Sequence, residues 1–223
     1  METKLNYKRT FLIGLAFLSI CSFWQMYDNI IPLILQNTYH LGETMTGAVM
    51  ALDNVLAIFL LPVFGTLSDK VHTKLGRRMP FIVSGTILAV IFMMLLPMID
   101  NAEKARWGTV ESFSNQVIFL AVLFFTLVSM GLYRSPAVAL MPDVTPNHLR
   151  SRANAVINLM GAVGGVYALI MIKVLVGKGE TPDYLPLFAS IAAVMAIAVG
   201  ILVMTIRENK LREEVEKACL LYT

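Results

Sequence analysis

Charge is scarce in this sequence, and reactive side chains are scarcer still. Asp, Glu, Lys and Arg make up 15% of the 223 residues, whereas an ordinary soluble domain carries about 25%. Two cysteines, Cys21 and Cys219, stand far apart, the first inside an apolar run, so they form no disulfide framework and no metal-ligand spacing. His40, His72 and His148 are scattered and read as solvated loop residues. P-loop, G-x-S-x-G and H-E-x-x-H patterns are missing, which argues against an enzyme. A net charge of +3 without a basic patch offers nothing to a nucleic acid, and no metal or organic cofactor is expected.

What the sequence has instead is apolar residues, 57% of the total, gathered into long runs. The runs fall at 11–36, 44–66, 81–99, 115–141, 153–175 and 184–206. A bilayer span needs roughly 20 such residues, more than a soluble core helix uses. The runs lack the short alternation of a membrane β-barrel, and a backbone in lipid must satisfy its own hydrogen bonds, so the reading is all-α with six transmembrane helices. Phe11 to Ile20 behind Lys8 and Arg9 mimic a signal peptide. Apolar character nevertheless continues to Leu35 without a small-residue cleavage site, which predicts an uncleaved first helix.

Basic residues orient the bundle. Thirteen of them, from Lys4 to Lys217, flank one set of helix ends, whereas the opposite flanks hold Lys104, Arg106 and Lys178. The crowded side is expected to be cytoplasmic, with both termini inside a cell (plasma or inner) membrane and Trp107 outside. Residues 1–10 then form a cytoplasmic N-terminus, 11–206 the bundle and 207–218 a charged cytoplasmic tail. The final Cys219-Leu-Leu-Tyr-Thr223 matches a translated transposon-type sequencing adapter, so a reading frame that runs off a fragment is expected there.

Between the second and third runs lies Gly65-Thr-Leu-Ser-Asp69-Lys-Val-His-Thr-Lys-Leu-Gly76-Arg77-Arg78-Met-Pro80-Phe81. The positive-inside rule accounts for its cations but not for the spaced glycines or Asp69. The stretch resembles the signature loop of the major facilitator superfamily. Its long Asp-to-Gly spacing is similar to that of the sucrose-transporter and glycoside–pentoside–hexuronide:cation symporter branch. Pro136-Ala-Val-Ala-Leu140-Met-Pro-Asp143 and Arg150-Ser-Arg152-Ala-Asn154-Ala resemble the segment of that branch that leads from helix four into helix five. The resemblance implies the N-terminal six-helix half of a carrier, whose missing C-terminal half completes the substrate cavity. It also implies a cytoplasmic gate built from Gly65, Asp69, Gly76, Arg77, Arg78 and Asp143.

Asp28, Asp53 and Arg134 lie deep in apolar runs, where a charge costs about 2.5–3.5 kcal/mol at mid-bilayer unless paired or hydrated. By helical rise, Asp28 sits ~12 Å and Asp53 ~13 Å below the outer helix ends, so the two carboxylates share a level. Two carboxylates facing one cavity suit proton binding; they can equally serve as interhelical hydrogen-bond partners. Arg134 counts to about 9 Å from the inner end, near the depth of Asn158. Gln25, Asn29, Asn54, Asn154 and Asn158 complete the set that can meet a hydroxylated solute or merely join helices. Gly161 and Gly165 form a small-xxx-small face for close packing.

The expected function is proton-coupled sugar or glycoside symport by alternating access, in contact with the lipid bilayer and a small polar solute. Sodium-coupled members of the branch carry two helix-two aspartates where this chain has Ala57 and Leu61, which favours H+ over Na+ without excluding the latter. A carrier of another small solute and a non-transporting six-helix membrane protein are the alternatives.

Overall fold

The computed structural model describes residues 5–71, 73–105, 113–177, 179 and 182–220, with side chains as far as 215. Trp107, Arg106, Lys178, His72, Lys4, the side chain of Lys217 and the last three residues therefore lie outside what is described. Six helices are each long and apolar enough to cross a bilayer: α1 (Tyr7–Asn37), α2 (Glu43–Lys70), α3 (Met79–Lys104), α4 (Phe113–Asp143), α5 (Arg150–Leu175, entered through the 3-10 turn Asn147–Leu149) and α6 (Leu185–Thr205). A seventh, α7 (Glu208–Leu220), is short and charged. The protein is a multi-pass membrane protein.

Most of the membrane helices outrun the apolar stretches that announce them. α3 continues through Asp100 and Lys104, and α4 ends at Asp143, because helix ends that emerge from lipid can carry charge on a last turn. α1 packs chiefly on α5 and also on α6; α3 packs on α4 and α6; α2 packs on α4. The helices thus run α2, α4, α3, α6, α1, α5 around the bundle, with α1 also touching α2 and α4. Ile13, Ile20, Phe23, Ile30 and Ile34 turn the apolar stripe of α1 into the core, whereas α2 buries only Thr46 and Ser68.

Lipid gives apolar helices little reason to associate, so close contact and hydrogen bonds must hold them. A Cβ on Gly164 would overlap the Leu18 carbonyl, and that absent side chain lets α5 lie against α1. Ser22 Oγ bridges the contact, donating to Leu18 O at 2.8 Å and to Gly164 O at 2.9 Å. The small-residue face therefore runs through Gly161 and Gly164. Gly165, expected to pair with Gly161, points one residue round the helix and has only the Gln25 side chain nearby. On the α1–α4 seam, the Ser19 and Tyr133 hydroxyls lie 2.6 Å apart and both reach Ala16 O.

The bundle end away from the signature loop is tied by a buried carboxylate. Asp100 accepts from Thr38 Oγ1 at 2.7 Å and Lys104 Nζ at 2.6 Å. Lys104 also donates to Pro182 O at 2.6 Å and lies over the Tyr184 ring. These contacts join the ends of α1, α3 and α6. Burial, then the nearby Asp100 and Glu103 carboxylates, pushes the Tyr39 phenol up from its usual value; burial and Asp100 do the same at Tyr184.

Candidate functional site

Beyond the Asp100 cluster, two further polar assemblies among the described residues interrupt the apolar bundle. The first is at the signature loop. Gly76 has φ +128°, which an L side chain rarely adopts, and it turns the chain so that Arg77 and Arg78 face back toward α2 and α4. Arg78 is almost fully buried. Its Nη2 lies 2.6 Å from Asp69 Oδ1, its Nε donates to Asp143 Oδ2 at 3.0 Å, and its Nη1 donates to Gly65 O at 3.2 Å and to Ser68 Oγ. Arg77 Nη2 donates to the same Asp143 oxygen at 3.2 Å, and its Nη1 stands 3.9 Å from Asp69. The structure thus brings Gly65, Asp69, Arg77, Arg78 and Asp143 together at one end of α2, α3 and α4.

Sequence reasoning missed a fifth charged member, Glu208. It opens α7, is fully buried, and accepts from three consecutive amides: Arg77 N at 2.9 Å, Arg78 N at 3.0 and 3.2 Å, and Met79 N at 3.2 Å. The free N–H groups that start α3 are thereby capped by a carboxylate from the far end of the chain. A side chain at position 76 would collide with it. No local spacing signals this bond, since its partners lie 129 to 131 residues apart.

The second assembly lies on α1, α2, α4 and α5. Asp28 is exposed from the bundle, Asp53 is half-buried, and the two carboxylates are within mutual electrostatic reach. Tyr27, buried beside them, feels both charges, and its hydroxyl has no hydrogen-bond partner among the described residues. Asn54 Nδ2 donates to Asp53 Oδ1 at 3.0 Å. Asn29 Nδ2 is spent on its own helix, donating to Gln25 O at 2.7 Å. One turn below Asp28, the Arg134 guanidinium stands 5.4 Å from the Trp24 ring, a cation–π distance. The Trp24 indole N–H is buried and unpaired among the described residues. Asn154 and Asn158 are exposed on α5 and make no side-chain hydrogen bond among the described residues. Trp24 and Tyr27 were not among the expected site residues because aromatics in an apolar run look like core; their orphaned polar atoms mark them. No group of His, Cys, Asp or Glu fit for a metal ion occurs among the described residues.

A family profile described as Major Facilitator Superfamily matches residues 3–169. The chain belongs to the major facilitator superfamily. Within that superfamily it is similar to the sucrose transport protein SUT3 of Oryza sativa subsp. japonica, with 26% identity over 137 residues, 58% of this chain and 27% of the relative. It is 34% identical over 116 residues to the sucrose transport protein SUC4 of Arabidopsis thaliana, covering 49% of this chain and 22% of that protein. An uncharacterized symporter of Synechocystis sp. shares 24% identity over 144 residues, 62% of this chain and 25% of the relative. These relatives are consistent with the sucrose-transporter-like branch of the superfamily, and the chain matches about a quarter of their length.

Proposed function

We propose that this chain is the N-terminal half of a secondary active carrier that moves a sugar or glycoside together with protons by alternating access. The observation that carries the reading is the pair Asp28 and Asp53, within electrostatic reach of each other on the side of the bundle that no described helix covers. Carboxylates that face a cavity inside the bilayer are the kind of group that carries a coupling proton. Arg134, the Trp24 face and the open amides of Asn154 and Asn158 supply the donors and the flat surface that a hydroxylated ring needs. The similar proteins, sucrose transport proteins and a symporter, fit this substrate class and this coupling.

The second half of the carrier closes the cavity over this face. The signature-loop cluster then acts as a gate on the cytoplasmic side, where the positive-inside rule sets both termini. Bonds from Arg77 and Arg78 to two carboxylates can hold one closed state and be exchanged for others when the halves rock.

The test is uptake of labelled sucrose and related glycosides by the full-length gene product in sealed vesicles. A protonophore should collapse accumulation, and Asp28→Asn should lower it by about 100-fold or more, the lower end of what one positioned proton-transfer group contributes. Accumulation that survives both treatments removes the coupling.

A further inference from the structure

Behind the polar face, α3 and α6 leave a groove of about 450 Å³ between Val83–Ile91 and Ala196–Met204. Its lining is apolar apart from Thr86, whose hydroxyl is already spent on Ile82 O. The groove is open to the surface at Ile87, Ile91 and Met204, and its floor is bare at Gly200, where a Cβ would meet nothing within 4 Å. At 1.5 Å per residue it runs about 12 Å along both helices, close to the ~15 Å hydrocarbon depth of one leaflet.

The groove has a neighbour at one end. Val203 and Met204 line it and also line a second recess of about 440 Å³ at the signature-loop end. There the walls carry Lys74, Arg207 and Lys210, and none of the three forms an ion pair among the described residues. Glu208, the acid in that recess, is occupied by the three backbone amides that start α3. Asn209 Nδ2 donates to Thr73 O at 3.1 Å and Lys74 O at 3.2 Å, which fixes the loop that carries Lys74 against α7. An apolar slot about 12 Å long thus adjoins a recess whose three cations form no ion pair among the described residues.

We propose that the α3–α6 groove and the adjoining recess at α7 together hold one membrane phospholipid with an anionic headgroup. An acyl chain fills the slot over Gly200, and the phosphate sits among Lys74, Arg207 and Lys210. The positive-inside rule explains cations at this end of the bundle but not their convergence on the mouth of an apolar groove. The assignment to the inner leaflet rests on the orientation given above; the lipid contact itself is independent of transport, so either reading can fail alone.

The experiment is native mass spectrometry of the purified chain from micelles holding equal phosphatidylglycerol and phosphatidylcholine. The chain should retain one phosphatidylglycerol in preference to phosphatidylcholine. The K74Q/R207Q/K210Q variant should lose that preference by about tenfold or more, given the attraction each cation exerts near a membrane surface. Gly200→Leu, whose Cβ meets nothing within 4 Å and whose branched end enters the slot, should reduce retention of both lipids alike. Removing three other basic residues, K8Q/K70Q/R152Q, should leave the preference in place, and excess glycerol phosphate should not displace the lipid. The proposal is overturned if the two charge variants behave alike or if Gly200→Leu retains lipid as before. Displacement by glycerol phosphate, or by a second copy of the chain, overturns it equally.

Discussion

The Glu208 carboxylate accepts from three consecutive amides while fully buried, so its charge is balanced by backbone dipoles and by the start of α3. Removing it strands those donors away from water. Glu208→Ala should cost about 2–4 kcal/mol, whereas Glu208→Gln, which keeps one acceptor oxygen, should cost less. Thermal unfolding in detergent would show this order of midpoints; equal midpoints for wild type and Glu208→Ala would contradict the capping role. Tyr39 behaves differently. Its hydroxyl is buried without a partner among the described residues, and burial together with Asp100 and Glu103 favours the neutral phenol. A folded-state value raised above the unfolded one gives stability that is complete below about pH 10 and lost as pH climbs beyond it. Tyr39→Phe should therefore be neutral or slightly stabilising at pH 7 and should flatten the fall in thermal midpoint between pH 9 and pH 11. An unchanged alkaline slope would assign that loss to other groups.

At the scale of elements, the six spans could be read from the sequence because each is a long uncharged run, and lipid demands such runs of a helix. What joins the helices was less legible. The α1–α5 contact depends on Gly164 lying under Leu18, and the spacing of glycines alone pointed to Gly161 with Gly165. Gly164→Leu should push α5 off α1 and destabilise the bundle by about 3 kcal/mol or more, because backbone stands where the side chain must go. Gly165→Leu should cost much less. Comparing the two by thermal unfolding checks which face carries the contact. The signature-loop residues could be found because they lie within a short stretch and Asp143 closes a recognisable second motif. Glu208, far along the chain, could not. Asp28 and Asp53 were legible by depth, since helical rise converts position into height. The Trp24–Arg134 contact requires knowing which faces of α1 and α4 meet, and apolar runs with weak amphipathic character do not specify that.

At the scale of the whole molecule, the bundle has two unlike sides. The α3–α6 side is apolar and backed by a buried core, whereas the α2–α5 side exposes Asp28, Asn54, Asn154 and Asn158 at depths where lipid is a poor neighbour. A polar face of that kind calls for a water-filled cavity, and the proposed second half supplies its opposite wall. The most direct measurement is labelled-sucrose accumulation in sealed vesicles that carry either the full-length gene product or this 223-residue chain. The account predicts proton-driven accumulation by the full-length protein and none by this chain alone. Accumulation by the chain alone, or a folded full-length protein that moves no solute, would contradict it.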